Sequence, residues 1–481
     1  MALKSDTIAA SATALSDSGI GIIRVSGDEA ISIVDKIYKS KGRSRLTDYE
    51  THTIHYGFIY DGEELIDEVM VSIFKAPRSY TTEDTVEINC HGGILVIRKV
   101  LDLVIKSGAR IAEPGEFTKR AFINGRIDLS KAEAVMDIIH AKNDFALKSS
   151  VKQIRGSLYN LIKELRAEIL YEIAFIESAL DDPEHISLEG YDKSLMEKND
   201  ALIEKVNRLY LSADNGKMLK EGINTVIVGK PNAGKSSLLN MLVGEEKAIV
   251  TDIAGTTRDV IEEKINLSGI GLNIVDTAGI RTTDDVVEKI GVERAKNFAN
   301  EADLIIYVVD SSVELDESDR DILKIIRNKK VIILLNKTDL VPLVTEKILK
   351  DFLFSDLSRS DDITLFESDS HSFDKEIKII KVSAKEGIGL DILEETIKEM
   401  FFHGELHIND EVMLTNLRQK DAVKEALDSL MMVRKSLVDE MPEDFLSIDL
   451  MGAYSSLGLV IGEEVGEDVV NEIFSKFCMG K

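Results

Sequence analysis

One segment constrains the fold more than any other. An apolar run, Thr225–Val228, leads into Gly229-Lys230-Pro231-Asn232-Ala233-Gly234-Lys235-Ser236-Ser237, and Leu238-Leu239-Asn240 then starts a helical pattern. A strand, a glycine loop and a helix in that order place backbone N–H groups at a helix N-terminus, where they cradle phosphates. Lys235 supplies a point charge to the β- and γ-phosphates, and the Ser236 hydroxyl is placed for Mg²⁺. Further apolar runs follow at Leu272–Val275, Leu304–Val309, Val331–Leu335 and Ile377–Val382, with helical segments between them. That alternation requires a mainly parallel, doubly wound α/β sheet.

Three further elements select the base and the ion. Asp276-Thr277-Ala278-Gly279 follows a strand, so Asp276 can hold Mg²⁺ through water while the Gly279 amide senses the γ-phosphate. Asn336-Lys337-Thr338-Asp339 ends another strand, and an aspartate there accepts both donors on the guanine edge, which adenine cannot match. Ser383-Ala384-Lys385, after the last strand, offers a backbone amide to the guanine oxygen. The combination selects GTP over ATP. Between loop and Asp276, the segment Thr251-Asp252-Ile253-Ala254-Gly255-Thr256-Thr257-Arg258-Asp259 supplies a switch threonine, Thr257, whose hydroxyl reaches Mg²⁺ once GTP is bound. Many small GTPases follow the DxxG glycine with a glutamine that orients the attacking water. Here that position is Ile280, which cannot hydrogen-bond; Asp284, Asp285 and Glu288 are the nearby carboxylates, and spacing does not choose among them.

The chain has 481 residues, 44% hydrophobic and 30% charged, enough for two to four domains each with its own core. Its 59 basic against 86 acidic residues leave a net charge of −27, which argues against a large nucleic-acid footprint on the chain itself. A local basic patch stays open, and a partner would hold much of any RNA involved. No apolar run reaches the roughly 18 residues of a membrane span. Met1-Ala2-Leu3-Lys4-Ser5-Asp6 lacks a signal-peptide layout, so the expected location is cytoplasmic, with no membrane partner. Two cysteines, Cys90 and Cys478, cannot build a disulfide framework. Cys478-Met479-Gly480-Lys481 has glycine and lysine where a prenylation box needs an aliphatic and a permitted terminal residue, so lipidation is rejected.

Residues 1–120 mix β-type runs (Ile20–Val25, Glu68–Phe74, Thr85–Ile88) with a helix over Ile94–Lys106 and read as an α+β domain. Residues 121–220 are helical: Ile154, Leu158, Leu161, Ile162, Leu165, Ile169, Ile173, Ile176 and Leu180 recur at threes and fours until Asp181-Asp182-Pro183. A second helix is expected from about Ser194 to Leu219. The GTPase domain occupies 221–402, and 403–481 is helical again. Neither helical flank makes a comfortable core alone, so both are expected to form one discontinuous helical domain that the GTPase domain interrupts. The polar stretch Asp351–Lys375 reads as a surface insertion.

At this point the residues closely resemble one family, MnmE (TrmE), the bacterial and organellar tRNA-modification GTPases, over nearly the whole chain. The likeness rests on Gly19-Ile20-Gly21-Ile22-Ile23-Arg24-Val25-Ser26-Gly27, Glu87-Ile88-Asn89-Cys90-His91-Gly92-Gly93, and Pro114-Gly115-Glu116-Phe117 running on to Arg120, Asn124, Arg126 and Asp128. The nucleotide motifs, Arg281 and the Phe477-Cys478-Met479-Gly480-Lys481 tail also fit it. The resemblance implies action with the flavoprotein MnmG to install an aminomethyl or carboxymethylaminomethyl group at C5 of the tRNA wobble uridine. A tetrahydrofolate (5-formyl or 5,10-methylene) on the N-terminal domain would supply the one-carbon unit. Arg24, Glu87, Arg126 and Lys481 match the folate contacts; the family often has Lys at Arg126, and the two are not equivalent donors. Taken alone, Arg24 and Glu87 read as a surface ion pair.

The resemblance also implies a homodimer formed through the N-terminal domain and GTPase domains that pair around K⁺. Asn232 matches the K⁺-coordinating asparagine, and the switch backbone from Thr251 through Ile253 to Thr256 matches the loop that completes the ion's shell. Glu288 matches the water-mediated general base, which breaks the tie among the three carboxylates; Lys235 and Thr257 complete the catalytic set. Cys478 is a candidate for covalent chemistry or for packing, and His91, beside Gly92-Gly93, for a structural role. The rival class is a GTP-switched ribosome-assembly or RNA-binding factor. A single P-loop and an acidic chain count against it.

Overall fold

The protein is described by a computed structural model over residues 6–245 except 41, 43 and 142, 262–275 except 268, 302–357 except 327 and 328, 377–402, and 412–480 except 464 and 479. The chain divides into two compact units. One gathers Met1–Ile139, Lys152–Val206 and Asp421–Lys481, the other His140–Val151 and Asn207–Lys420.

In the first unit, strands β1 (Ile8–Ser11), β2 (Ser18–Ser26), β3 (Tyr38–Ser40), β4 (Thr53–Asp61), β5 (Glu64–Phe74), β6 (Thr85–Gly92) and β7 (Arg110–Ile111) form a sheet ordered β3-β4-β5-β6-β2-β1-β7. Only β1–β7 pairs in parallel. Side chains alternate between faces along a strand. One face sends Ile23, Val25, Ile59, Val71, Ile73, Val86 and Ile88 into a core with the helices Ala30–Ile37 and Ile94–Lys106. The opposite face carries the cross-strand rows Ile54–Ser72–Glu87–Arg24 and Tyr56–Met70–Asn89–Ile22. Strand β4 was not foreseen: its Thr-Ile-His-Tyr-Gly-Phe-Ile-Tyr alternation puts aromatic and aliphatic residues on both faces and hides the period.

The helical part of this unit comes from both flanks of the nucleotide region. Helix Ser157–Asp181 buries Leu158, Ile162, Leu165, Ile169, Ile173 and Ile176, each such burial contributing roughly 1.5–3 kcal/mol. It packs on Glu443–Ile461 and receives its Tyr454 carbonyl on Arg166 Nε at 3.1 Å. By length and composition Glu443–Ile461 is apolar enough to cross a membrane, although its apolar residues form no unbroken run. Leu446, Leu450, Ala453, Leu457, Val460 and Ile461 are nonetheless buried within the unit. The expected face continuing back to Ile154 is broken: Gly156, at φ +92°, separates helix Asp144–Ile154 from Ser157–Asp181.

In the second unit, β8 (Ile223–Val228), β9 (Glu262–Leu267), β10 (Ile270–Val275), β11 (Leu304–Asp310), β12 (Val331–Asn336) and β13 (Ile377–Lys381) are ordered β13-β12-β11-β8-β10-β9. All pair in parallel except the edge strand β9. The central strands read as continuous apolar runs because both faces are covered. Ile306, Val308, Ile332 and Leu334 meet Leu238, Leu242, Leu393 and Ile397 of the helices Lys235–Glu245 and Leu390–Phe402. Ile305, Val309, Ile333 and Leu335 meet Leu323 and Leu349 of Glu317–Ile326 and Glu346–Leu357. The polar stretch expected to begin an insertion at Asp351 is still helical to Leu357.

Candidate nucleotide site and a second site at the chain's tail

Strand β8 ends at Val228 and the chain turns at once. A Cβ on Gly229 would stand 2.5 Å from the Val308 carbonyl, so the loop passes β11 at a distance that only glycine allows. Gly234 closes the loop at φ +100°, and a Cβ there would stand 2.1 Å from Nδ2 of Asn336. Asn232, exposed, sits between them at φ +61°, a left-handed conformation that asparagine tolerates. Ala233 is buried, whereas Ser236 and Ser237 are exposed at the start of helix Lys235–Glu245. Lys235 Nζ donates to the carbonyls of Gly229 at 2.7 Å and Lys230 at 2.8 Å, and a phosphate would compete for the same ammonium.

Asn336 joins the two halves of the site. It is 2% exposed, donates from Nδ2 to the Ala233 carbonyl at 2.9 Å and accepts the Ala384 N–H at 3.0 Å. One side chain therefore fixes the phosphate loop against Ser383-Ala384-Lys385. The Ser383 hydroxyl donates to Asp339 Oδ1 at 2.8 Å and orients the carboxylate expected to read guanine. Thr338 is held to the Val382 carbonyl by its N–H at 3.2 Å and its hydroxyl at 2.9 Å. Lys337, at φ +62°, places Nζ 2.6 Å from Asp310 Oδ2. Burial pushes the Asp310 carboxyl up, but the bonds from Lys337 and Ser312 outweigh it and hold the group below its ordinary value. Asp310 escaped the sequence reading; its signal was its place at the C-terminal end of a parallel strand, where such sheets bind ligands. Thr251, Ile253, Thr256, Thr257, Asp276, Thr277, Ala278, Gly279, Ile280, Asp284, Asp285 and Glu288 lie outside the described residues.

The first unit holds a second cluster. Arg24 on β2 and Glu87 on β6 are direct cross-strand partners, with Nε and Nη2 of Arg24 each 2.8 Å from Glu87 Oε1. At 17% and 22% exposure this is more than a surface ion pair. Arg24 Nη1 donates to the carbonyl of Gly480 at 2.9 Å, across 456 residues of sequence. Its guanidinium lies 5.8 Å from the ring centre of Tyr80 and 5.7 Å from that of Phe117. Arg126 stacks on Tyr80 at 4.8 Å and donates to its carbonyl at 3.1 Å. Three of the four residues expected to share a site are thus together; Lys481 lies outside the described residues.

Glycines seat the tail. Gly115, at φ +69°, would carry a Cβ 2.5 Å from the Phe474 carbonyl, and its N–H donates to the Cys478 carbonyl at 3.3 Å. Phe474 and Phe477 anchor the approach in a cluster with Leu129, Ala132, Met136 and Val470. A buried network fixes the segment after Tyr80, which the sequence reading also missed. Ser26 Oγ is 2.7 Å from Thr81 Oγ1 and donates to Glu83 at 2.9 Å, Arg120 pairs with Glu83 at 3.1 Å and with Glu116 at 3.0 Å, and Asn124 donates to the Thr81 carbonyl at 2.7 Å. Cys478 is exposed, while Cys90 is buried and its thiol is pushed up to about 11 by burial. His91, considered for a structural role, is exposed and tied to Asp67. Asp67 receives its Nδ1 at 2.6 Å and its backbone N–H at 2.8 Å, and the side-chain bond raises the imidazole above its ordinary value.

Comparison with known proteins covers the whole chain. The family model for the MnmE helical domain matches residues 129–478, and that for the N-terminus of the GTP-binding protein TrmE matches residues 7–126. A protein named tRNA modification GTPase MnmE from Lachnoclostridium phytofermentans is 54% identical over 480 residues, covering 100% of both chains. Its namesake from Alkaliphilus metalliredigens is 46% identical over 482 residues, covering 99% of both. Among solved structures, Aquifex aeolicus Era bound to GDP.AlF4- is 30% identical over 44% of this chain and 67% of that one, with a TM-score of 0.27.

Proposed function

The chain belongs to the MnmE family of tRNA modification GTPases, and from that premise we propose the finer chemistry of its two sites. The enzyme is a K⁺-dependent GTPase that works with an MnmG-type flavoprotein on the tRNA wobble uridine, installing at C5 a (carboxymethyl)aminomethyl group whose methylene comes from a folate one-carbon unit and whose nitrogen comes from an amine, ammonia or glycine. The observation that carries this reading is the docking of the Gly480 carbonyl on Arg24, beside Glu87, Tyr80, Phe117 and Arg126. Paired charge, two aromatic rings and a second guanidinium suit a ligand with a flat heterocycle and an anionic end. Bound there, a reduced folate would supply a carbon at the formaldehyde or formate level; Arg24, Glu87, Arg126 and Lys481 would hold it, with exposed Cys478 close along the chain.

At the nucleotide loop, Ser236, with Thr257 and (through water) Asp276, would hold Mg²⁺, which neutralises phosphate charge. The exposed Asn232 carboxamide is a suitable oxygen donor for K⁺, with Thr251, Ile253 and Thr256 completing the shell. Glu288 is assigned the water-mediated general base. Exposed Ile20, Ile54, Tyr56 and Met70 support a homodimer through the first unit's sheet, since contiguous apolar surface of this kind marks an interface. The domain limits proposed are 1–120, 121–220, 221–402 and 403–481.

The test combines purified chain, MnmG-type flavoprotein, tRNA, GTP, 5-formyl- or 5,10-methylene-tetrahydrofolate, an ammonium salt or glycine as amine donor and NADH to reduce the flavin, in KCl or NaCl at equal ionic strength. GTP hydrolysis and the wobble nucleoside are both measured. Faster hydrolysis in KCl and folate-dependent uridine modification are expected. Equal hydrolysis in both salts would remove the K⁺ mechanism, and modification without folate would remove the one-carbon assignment.

A further inference from the structure

Lys230, the second residue of the phosphate loop, has no part in the roles assigned above, yet it is held more firmly than a loop lysine needs to be. Its Nζ lies 2.7 Å from Asp319 Oδ2 and 3.0 Å from Asp316 Oδ2. Asp319 is 1% exposed and collects donors from three elements. The hydroxyl of Tyr307, fully buried in mid-β11, donates to Oδ1 at 2.6 Å. The Asp316 N–H donates to Oδ2 at 2.8 Å, while Asp316 Oδ1 accepts the Asp319 N–H at 3.4 Å and the Ser318 N–H at 2.9 Å, a reciprocal cap on helix Glu317–Ile326. Lys230 supplies the third donor and the compensating charge that a buried carboxylate requires.

The other end of Lys230 is the floor of the loop. Its carbonyl accepts Lys235 Nζ at 2.8 Å and the Ala233 N–H at 3.3 Å. Any phosphate that draws the Lys235 ammonium away removes one of those bonds, and the Lys230 side chain then adds a second anchor to the one that Asn336 makes at Ala233. We propose that Tyr307, Asp319 and Lys230 are positioning residues, a buried tether that fixes the phosphate loop to β11 and to the following helix and thereby slows nucleotide release. The tether rests on the loop being the GTP site. Its side chains hold the loop in place from β11 and the following helix, so its effect falls on affinity and leaves the chemical step alone. Neither charged member stands out in the sequence: Lys230 reads as a surface lysine, and Asp319, within Glu317-Ser318-Asp319-Arg320-Asp321, as an acidic helix start.

The experiment measures stopped-flow release of mant-GDP from the full chain, with steady-state GTP hydrolysis beside it. Asp319→Asn removes the charge and keeps one acceptor oxygen, enough for the Asp316 N–H, while its amide can donate to the Tyr307 oxygen; Lys230→Met removes the cation but keeps the stem; Lys230→Arg restores it. The first two should each speed release about tenfold and raise the KM for GTP in step, the loss of one charge-assisted bond, while kcat stays within about twofold. Lys230→Arg should release at close to the wild-type rate, and the double variant Lys230→Met, Asp319→Asn no faster than either single. Release rates for both singles near wild type, with only the melting temperature lowered, would reduce the cluster to a helix cap and overturn the proposal. Should Asp319→Asn fail to fold, Lys230→Met on its partly exposed side chain decides the matter alone. A wild-type chain that bound no mant-GDP would bring down the nucleotide site itself, before any variant is compared.

Discussion

Replacing Gly480 by alanine tests whether the tail is seated as its geometry requires. Gly480 has φ +84°, where an L-residue costs about 1–2 kcal/mol. A Cβ there would stand 2.2 Å from the Ser11 carbonyl oxygen and 2.9 Å from Ala12 Cα, neither of which is the mobile end of a side chain. The tail's way out is to leave, which gives up the Arg24–Gly480 bond, about 1.5–3 kcal/mol for a charged donor, and the long Gly115–Cys478 bond, about 0.5–1.5 kcal/mol. Strain plus displacement should weaken docking by at least ~2 kcal/mol, a factor of about thirty. Hydrogen exchange at the Gly115 amide reads that opening directly, because its acceptor is the Cys478 carbonyl. Gly466→Ala is the control: its φ is −66° and nothing lies within 4 Å of the added carbon. Binding of 5-formyltetrahydrofolate should weaken alongside in Gly480→Ala. Unchanged Gly115 exchange in that variant would refute the docked tail, and unchanged folate affinity with faster exchange would separate the tail from the ligand site.

At the nucleotide loop, Gly234→Ala should push aside the Asn336 side chain, 2.1 Å from the new carbon, and break its bonds to Ala233 and Ala384. Two neutral bonds and a positive φ amount to ~3 kcal/mol, so mant-GDP affinity should fall about a hundredfold; a loss under threefold would refute the coupling. With excess thiol reagent at pH 8, exposed Cys478 should react fast and Cys90 only as the chain unfolds, so a second fast equivalent would contradict the buried assignment. Burial raises the Cys90 thiol from 9.0 to about 11, so its contribution to stability is complete below pH 9 and is lost as the pH rises toward 11.

The doubly wound sheet was legible because its central strands are covered on both faces, so each reads as an unbroken apolar run. Leu304–Val309 and Val331–Leu335 were each placed to within one residue. Strand β9, Glu-Glu-Lys-Ile-Asn-Leu at the sheet edge, was not legible, since an edge strand alternates and carries charge. Helix Ile94–Lys106 was readable from Gly93 before it and the apolar stripe within it. The break at Gly156 was not, because the apolar spacing continues across it and only a backbone angle marks the end.

Motif spacing named candidate nucleotide residues but not what holds them. Asn336, expected to meet the nucleotide through its motif, also bonds Ala233 and Ala384, and nothing in the spacing announces those bonds or the places of Asp310, Tyr307 and Asp319. The same holds at the tail. Arg24 was readable as one half of an ion pair, while its third donor goes to a carbonyl 456 residues away, and a carbonyl has no sequence signature. What the sequence records instead is the glycine that lets the carbonyl arrive. Gly115 and Gly480 both have positive φ and both stand where a Cβ would strike backbone. The glycines of the Pro-Gly-Glu-Phe block and of the terminal Cys-Met-Gly-Lys thus make room for the same tail at two places, against Phe474 and against Ser11. If so, Gly115→Ala should undock the tail as Gly480→Ala does, and a variant carrying both substitutions should show little more exchange at residue 115 than either one. Additive opening would mean that the two glycines serve separate contacts.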